Sequence, residues 1–351
     1  MKNPGLDHGS EDGASSMGAI KAVAAFSGGL DSILAATLVQ RLGIEVTLLH
    51  VQHLFSADER GRALIRATAA QIGIPLQIVD ASEEHLEVIR YPRHGYGRGM
   101  NPCVDCRVFM LKIAKRVMEE QDAQFVVSGE VLGQRPKSQH HRALLQAAEE
   151  SGLGDRLLRP LSANLLPETR PVLEGWLRKE DLMSIQGRSR QEQTALAREF
   201  GVTEYPQPAG GCLLVEKAYA ARVRDAFDHI GREHVGLDEF RLLRIGRQFR
   251  LSDCAKAIIG HNQRENDALV SFSEGRIRID PANVMGPTTL IEGDPNEDEF
   301  RLAAALAARY SDHAGASTIS MVVIGRGIER VIDVAPLRPD DSRIAEWRLG
   351  C

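Results

Sequence analysis

A glycine-rich turn between an apolar run and a helical pattern constrains this chain more than any other feature. The turn is Ser27–Ser32, with the sequence SGGLDS, and it lies between the apolar run Val23–Phe26 and the helical run Ile33–Val39. Its two glycines, Gly28 and Gly29, carry no Cβ, so the backbone can approach a ligand closely. The N–H groups of the turn and of the first helical turn then point at an anion, and Ser27 and Ser32 add hydroxyl donors. The pattern predicts a phosphate or pyrophosphate site between a strand and a helix.

The spacing of the turn separates it from two other phosphate loops. A Walker-type loop needs G-x-x-x-x-G-K-[ST], and a dinucleotide loop needs G-x-G-x-x-G; the turn has neither. The hexamer resembles instead the pyrophosphate loop of the PP-loop ATP pyrophosphatases. This resemblance implies that ATP is split between its α and β phosphates while the substrate oxygen becomes adenylated. The alternative interpretation is an ordinary strand–helix turn with serine caps.

Strand and helix patterns alternate from about residue 21 to residue 161. Strand patterns cover Glu45–Val51, Leu76–Asp80 and Phe125–Gly129, and helix patterns cover about 58–72 and 111–120. Such alternation predicts an α/β fold with a doubly wound parallel sheet and helices on both faces. The PP-loop resemblance implies the HUP-like form of that fold.

Ligands of doubly wound sheets bind at the carboxyl ends of the strands. Ser27–Ser32 and Ser128–Glu130 both follow predicted strands, so we expect them to face one pocket. We predict that the nucleotide contacts come from Ser27, Gly28, Gly29, Asp31, Ser32, Ser128, Gly129, Glu130 and Gln134. Arg135 follows the same strand. The alternative for Glu130, Gln134 and Arg135 is that they cap a helix or lie on a loop without binding a ligand. His140 and His141 are expected to be exposed.

Composition limits the classes of protein that fit. The chain has 351 residues, a net charge of −5 and 43% hydrophobic residues, so it lacks a global basic field for nucleic acid. No apolar run has the ~20 residues that a membrane helix needs, and the polar start has no signal-peptide pattern. We therefore expect a cytoplasmic protein without membrane contact.

Three domains are predicted. Residues 1–18 are expected to form a disordered tail, 19–232 a PP-loop domain, and 233–351 a smaller α+β domain. Within them, 180–200 has a helical pattern and 240–251 a basic, strand-like pattern.

Three of the five cysteines are candidates for chemistry. Cys103 and Cys106 follow Asn101 and Pro102, which predict a helix start with Asn101 as cap and Pro102 as first residue. The two thiols then lie at a helix N-terminus, where the dipole lowers a thiol pKa. A lone CxxC motif leaves zinc, disulfide chemistry and an iron–sulfur cluster open.

Cys212 is the third candidate, because two glycines before it allow a sharp turn that presents its thiol. Together with Cys103 and Cys106 it would hold a [4Fe-4S] cluster with one open iron able to bind hydrosulfide. The alternative for Cys212 alone is a small buried hydrophobe. Cys254 and Cys351 are read as structural or incidental.

The motifs together resemble those of a tRNA thiouridine synthetase. The resemblance rests on SGGLDS, on NPCVDCRVFM at 101–110, on SGEVLGQR at 128–135 and on GGCLL at 210–214. The chain is most similar to the catalytic domain of the 4-thiouridine synthetases in their iron–sulfur-dependent form, over about 19–227. The resemblance implies adenylation of a uridine carbonyl oxygen and displacement of AMP by sulfur.

The same resemblance implies the cofactors, partners and site residues. It implies ATP as cofactor and tRNA as substrate. Mg²⁺ is expected because most phosphoryl-transfer sites hold it on the phosphates, with Asp31 as the nearest candidate carboxylate. The predicted catalytic residues are Asp31, Cys103, Cys106 and Cys212. The three cysteines are also the predicted metal ligands. The sulfur donor is sulfide or a cysteine desulfurase, a persulfide on Cys212 is the alternative to a cluster, and a homodimer is left open. The sequence shows no rhodanese-like sulfur carrier, which favours the cluster.

The C-terminal motifs at 244–251 and 258–266 are similar to the small RNA-binding domain of NFACT-type proteins. A phosphate-binding face is predicted from Arg244, Arg247, Arg250, Lys256 and Arg264. The alternative is an edge strand whose charges prevent aggregation. Two other functions stay open: a PP-loop sulfurtransferase or ligase for a small molecule, and a non-catalytic RNA-binding adaptor.

Overall fold

A computed structural model describes residues 18–56, 59–135, 138–205, 212–312 and 315–350 of the chain. Residue contacts divide the chain into two compact units. The first takes Met1–Gln52, Ala57–Asp80 and Arg107–Pro208, and the second takes His53–Ser56, Ala81–Cys106 and Ala209–Cys351. The boundaries of the three predicted domains stay a prediction. Residues 1–17 of the predicted tail and the glycines at 210 and 211 lie outside the described residues. Within the described ranges, no helix has the length and apolar character that crossing a membrane requires.

The first unit contains a five-stranded sheet in which every pairing is parallel, in the order β3-β2-β1-β4-β5. Its strands are β1 Lys21–Ala25, β2 Glu45–Gln52, β3 Leu76–Asp80, β4 Phe125–Ser128 and β5 Leu157–Leu158. The central strands are buried on both faces at Ala22–Ala24 and Phe125–Val127, which is why these stretches are apolar without alternation. This order confirms the predicted doubly wound α/β fold and puts the switch in strand order between β1 and β4.

The strands are connected by α1 Leu30–Arg41, α2 Glu59–Ile72, α4 Cys103–Glu120 and α5 His141–Glu150, and β5 is followed by α6 Arg170–Leu173 and α7 Gln191–Phe200. Helix α3 Ser82–Arg90 and the first four residues of α4 belong to the second unit. Helix α1 is buried along most of its length and packs between the sheet and α7, with Ile33, Leu34 and Ala36 fully buried. A rigid α1 fixes the loop at its N-terminus.

The second unit contains an antiparallel sheet of six strands in the order β11-β10-β8-β9-β7-β6. Its strands are β6 Arg247–Arg250, β7 Ala255–Ile259, β8 Ile277–Pro281, β9 Thr289–Gly293, β10 Ile319–Gly325 and β11 Ile328–Val334. Its further helices are α8 Lys217–Ile230, α9 Leu237–Leu242, α10 Gln263–Ser271, α11 Glu297–Arg309 and α12 Arg343–Trp347. Ala303, Ala304 and Ala307 pack α11 closely against one face of this sheet. The separate α+β domain predicted for the C-terminal part is confirmed as a fold.

Two local predictions are wrong. Most of 180–190 is not helical, because its backbone pairs with other segments: Ile185 N–H donates to Leu161 O at 2.8 Å, and Gly187 N–H donates to Leu132 O at 2.7 Å. The helix therefore begins at Gln191. The stretch 240–251 is not one strand either. A carboxylate oxygen of Glu239 accepts from Gly236 N–H at 2.9 Å and starts α9, so the strand is limited to β6.

Candidate active site

The glycine-rich turn leaves β1 at its carboxyl end and enters α1, as the sequence predicts. Gly28 has φ +75°, which a residue with a Cβ rarely adopts, and a Cβ there would lie 3.0 Å from Ile65 Cγ1. Gly29 is the helix cap, with φ −78° and ψ 157°. The N–H groups of Leu30 and Asp31 therefore have no partner within the helix and point out of its positive end.

The two serines of the turn hold its shape. Ser32 Oγ donates to Gly29 O at 2.7 Å, and Gly29 N–H donates to Ser27 Oγ at 3.3 Å. The two hydroxyl oxygens lie 3.3 Å apart, so both line the same small concavity. Ser27 is exposed and Ser32 is buried. The turn thus offers hydroxyl and amide donors together, the chemistry that a phosphate needs.

The turn after β4 packs directly against the start of α1. A Cβ on Gly129 would lie 2.6 Å from the backbone of Asp31 and from Ser32 N. Only glycine permits this approach, and it brings Ser128, Gly129 and the following residues beside the SGGLDS turn. The two turns are therefore in contact, while the expectation that they face one pocket stays a prediction.

Asp31 connects the two turns by its side chain. Gln134 Nε2 donates to Asp31 Oδ2 at 3.0 Å, and Arg190 Nη2 approaches the same oxygen at 3.5 Å. The other oxygen, Oδ1, is buried and has no hydrogen-bond partner among the described residues. A buried carboxylate oxygen without a donor is costly, so it is a natural ligand position for a hard cation such as Mg²⁺. Arg190 was not predicted as a site residue.

Glu130 is held in an internal ion-pair cluster. Its Oε1 lies 2.5 Å from Arg107 Nε, and its Oε2 accepts from Arg159 Nε at 2.8 Å. Arg159 is 4% exposed, so this carboxylate neutralises a buried charge. These ion pairs give Glu130 a structural role that differs from the alternative of a helix cap or loop decoration, and its predicted nucleotide contact stays a prediction. His140 caps α5 by accepting from Ala143 N–H at 3.2 Å.

The segments that carry the cysteines meet in the second unit. Met100 N–H donates to Leu214 O at 2.9 Å, and a Cβ on Gly99 would lie 2.3 Å from that oxygen. Gly99 has φ +69°, so glycine is required there for two reasons. This contact brings the chain just before Cys103 beside the chain just after Cys212.

Helix α4 begins at Cys103, because Cys106 N–H donates to Pro102 O at 2.9 Å. Pro102 therefore precedes the helix, and the predicted start is wrong by one residue. Cys103 is exposed, whereas Cys106 and Cys212 are half-buried. Burial raises the pKa of the Cys212 thiol; a backbone hydrogen bond at Leu214 lowers it, and the nearby Cys103 thiol raises it.

His85 is a neighbour of the CxxC motif that sequence reasoning missed. Its Nε2 lies 3.3 Å from Cys106 Sγ, and its ring centroid lies 4.5 Å from that of His53. Burial, and then the adjacent His53, lowers the pKa of His85 to about 3, so the ring is neutral. Asp105, between the two cysteines, accepts from the N–H groups of Arg93 and His94 at 3.0 and 3.1 Å and fixes the preceding loop.

The three cysteines have the ligand chemistry of an iron–sulfur or zinc site but do not form one as placed. Among the described residues, no group of three or more His, Cys, Asp or Glu side chains is arranged to hold a metal ion. The described arrangement therefore does not fit a bound cluster, and the predicted [4Fe-4S] ligand set stays a prediction.

The predicted phosphate-binding face does not exist as one surface. Lys256 is 1% exposed and its Nζ lies 2.6 Å from Glu292 Oε2, while Arg250 forms two hydrogen bonds to Asp225 at 2.8 and 2.7 Å. Arg244 Nη2 donates to Leu54 O at 2.6 Å. The prediction is wrong for Lys256 and Arg250, which internal ion pairs neutralise. Arg244 and Arg264 are exposed and Arg247 is half-buried, so a phosphate contact of these three stays a prediction.

Comparison with family models identifies two segments. Residues 18–162 match the model described as thiamine biosynthesis protein (ThiI), and residues 246–348 match the model described as NFACT protein RNA binding domain.

Among curated proteins, the tRNA-specific 2-thiouridylase MnmA of Xanthobacter autotrophicus is 30% identical over 220 residues, covering 58% of this chain and 54% of that protein. A probable tRNA sulfurtransferase of Thermococcus kodakarensis is 30% identical over 115 residues, covering 32% of this chain and 30% of that protein. The chain thus spans about half or less of the length of these relatives.

One solved structure with a similar chain is the U34-tRNA thiolase NcsA of Methanococcus maripaludis with its [4Fe-4S] cluster. It has 19% identity and a TM-score of 0.32, with 64% of this chain and 73% of that chain covered. A TM-score of this size supports no conclusion about activity. The family models confirm the resemblances predicted from the motifs: residues 18–162 are similar to ThiI proteins, and residues 246–348 are similar to the NFACT protein RNA binding domain.

Proposed function

We propose that this protein is an ATP-dependent tRNA sulfurtransferase that converts a uridine into a thiouridine. The observation that carries the proposal is the SGGLDS turn, in which two glycines, two hydroxyls and a helix N-terminus converge beside Asp31. The match of this segment to the ThiI model and the similarity to two tRNA-thiolating proteins support the choice of substrate.

In the proposed reaction, the turn binds the outer phosphates of ATP. The uridine carbonyl oxygen attacks the α-phosphorus, a new O–P bond forms, and the bond to the β-phosphate breaks to release pyrophosphate. The N–H groups at the start of α1, with Ser27 and Ser32, stabilise the charge that accumulates on the leaving pyrophosphate. Gln134 and Arg190 orient Asp31, whose free Oδ1 would hold Mg²⁺. When bound, Mg²⁺ supplies charge neutralisation for the phosphates.

The second step exchanges oxygen for sulfur. A sulfur nucleophile attacks the activated uridine carbon, the C–S bond forms, and AMP leaves with the former carbonyl oxygen. AMP is a far better leaving group than the oxygen of the carbonyl itself, which explains why ATP is needed. We assign delivery of the sulfur to Cys103, Cys106 and Cys212 when a cysteine desulfurase is the donor. The desulfurase loads a persulfide on Cys212, the outer sulfur attacks the uridine carbon, and the thiolate of Cys103 or Cys106 then breaks the S–S bond, which frees the thiouridine and leaves a disulfide that a dithiol reductant reduces. When sulfide is the donor, hydrosulfide is itself the nucleophile and no cysteine is oxidised.

The test is pyrophosphate release with ATP, Mg²⁺ and an unmodified tRNA transcript, followed by nucleoside analysis. We expect AMP and pyrophosphate only when tRNA is present. Asp31→Ala is expected to abolish both release and thiolation without loss of fold, whereas Cys212→Ala is expected to lose thiolation and keep release. Cys254→Ala is the matched control, because Cys254 is an exposed cysteine distant in sequence from the SGGLDS turn and from the other three candidate cysteines.

Three results would contradict the proposal. ATP cleavage that ignores tRNA would favour a small-molecule substrate. Absence of any conversion of ATP to AMP would favour a non-catalytic RNA-binding adaptor. Full thiolation by Cys212→Ala would refute the three-cysteine scheme.

A further inference from the structure

An aromatic platform lies at the edge of the second unit's sheet. Strand β6 is an edge strand of the sheet, and the chain after α12 pairs with it. Leu349 N–H donates to Gln248 O at 2.9 Å, and the backbones of Phe249 and Arg348 form an isolated antiparallel β-bridge. The buried ring of Phe249 lies 6.4 Å from the half-buried ring of Tyr310, at the end of α11. Since alternate residues of a strand and directly paired residues share a face, Arg247 and Arg348 lie on the Phe249 face.

Two arginines stack on the tyrosine ring. The guanidinium carbon of Arg247 lies 4.3 Å from the Tyr310 ring centroid, and that of Arg309 lies 5.4 Å from it. Arg247 Nη1 also donates to Gly260 O at 2.9 Å, which fixes its plane. We call Arg247, His261, Arg309, Tyr310 and Arg348 the Tyr310 cluster.

Positive charge exceeds negative charge around this ring. Arg348 and Arg309 lie close enough to Arg247 to act on it electrostatically, and Glu265 is the acidic group that offsets them there. Burial lowers the pKa of Arg247, and its arginine neighbours lower it further, against the opposing effects of Tyr310 and Glu265. The Glu265 carboxylate is already bonded to His261 N–H at 2.8 Å.

Arg309 and Arg348 have unused hydrogen-bonding capacity. Within the described parts of the chain, neither side chain forms a hydrogen bond or an ion pair with another residue. Arg309 Nε is buried without a partner, although a guanidinium carries five N–H donors. Asp341 is near Arg309, but its carboxylate is bonded to Arg343 at 2.8 and 3.0 Å. Neighbouring arginines repel one another and have N–H donors without acceptors, so an anion that accepts from both is a favourable partner.

We propose that the Tyr310 cluster binds the phosphodiester backbone of RNA, with Arg309 and Arg348 on phosphates and the Arg247–Tyr310 stack beside a base or ribose. Planar guanidinium groups match phosphate geometry, and arginine and tyrosine planes are the surfaces on which unpaired bases stack. The whole cluster lies inside the segment that matches the NFACT RNA-binding model. The choice of tRNA as the RNA rests on the proposed function.

The test measures binding of a labelled, unmodified tRNA transcript to the full chain by fluorescence anisotropy at several salt concentrations. The variant is Arg309→Gln with Arg348→Gln. The matched control is Arg241→Gln with Arg301→Gln, which removes the same charge from exposed arginines paired with Asp238 and Glu297.

We expect the cluster variant to bind at least about tenfold more weakly and its log-affinity slope against log salt to fall by about 1 for each lost phosphate contact. The control is expected to stay within about twofold of the parent protein, because single rim charges change little. Thermal unfolding of each variant verifies the fold. Equal weakening of tRNA binding in both variants, or no weakening in either, would overturn the inference. It would also be overturned if the cluster variant lost binding to polyglutamate but bound tRNA as well as the parent protein does.

The assay contains no ATP and no sulfur donor, so the two proposals fail separately. Arginine-dependent tRNA binding without thiolation would refute the proposed function alone. Thiolation with arginine-independent binding would refute the Tyr310 cluster alone.

Discussion

Replacing Gly129 by alanine tests whether the two turns form one ATP site. The new Cβ would lie 2.6 Å from three backbone atoms at Asp31 and Ser32, about 0.8 Å closer than the 3.4 Å at which ordinary contact begins. These atoms belong to the backbone of a buried helix, so they cannot rotate away. Such overpacking costs about 1–3 kcal/mol, and each kcal/mol lowers Tm by about 2–4 °C in domains of 150–250 residues.

The displacement is expected to affect ATP more than stability. A shift approaching 1 Å in a group that positions reactants can reduce the rate by about a hundredfold. We therefore expect Gly129→Ala to remain folded below its lowered Tm, to release pyrophosphate about a hundredfold more slowly, and to lose the rise in Tm that ATP gives the parent protein.

The control is Gly18→Ala, since a Cβ at Gly18 meets nothing within 4 Å. It makes the same chemical change in the same unit and is expected to leave Tm, the ATP-induced shift and turnover unchanged. If Gly129→Ala kept the turnover and ATP response of the parent protein, the close packing of the two turns would have no role in nucleotide binding.

Two further predictions concern stability. Lys256→Met removes one buried partner of Glu292, while Arg276 remains paired with that carboxylate. The free energy of unfolding in urea should therefore fall by about 1–3 kcal/mol while the tRNA affinity of the folded protein is kept. Weaker tRNA binding without destabilisation would restore Lys256 to an RNA-binding role. Burial lowers the pKa of His50 below 6.5, against a hydrogen bond at Phe26 O that raises it. The unfolded chain then takes up a proton that the folded chain does not, so stability should fall as pH drops below 6.5, by at most about 1.4 kcal/mol per pH unit for this one proton. His50→Gln should flatten that part of the stability profile, and an unchanged slope would show that other groups cause it.

Local signals were sufficient for the nucleotide-binding half of the fold. Strand β3 is observed at Leu76–Asp80, as predicted, and α2 begins one residue after its expected start. Both follow from apolar periodicity interrupted by glycine and proline, which neighbouring residues determine by themselves. The SGGLDS turn is equally local, because its φ values and hydroxyl bonds arise within six residues.

The parts that sequence reasoning missed depend on distant partners. The segment 180–190 has a helical sequence pattern but forms no α-helix, because its backbone makes hydrogen bonds with residues 132 and 161 instead. Arg250 and Lys256 look like phosphate ligands in sequence, yet Asp225 and Glu292, 25 and 36 positions away, neutralise them. His85 had no signal at all, because its contact with Cys106 arises only when α3 and the start of α4 fold together.

The most direct test of the central claim is mass spectrometry of tRNA nucleosides from a strain that lacks this gene. The strain is compared with the same strain complemented by the parent protein or by Asp31→Ala. We expect one thiolated nucleoside to disappear, to return with the parent protein, and to stay absent with Asp31→Ala. Persistence of every thiolated nucleoside in the deletion strain would contradict the assignment of tRNA thiolation to this protein.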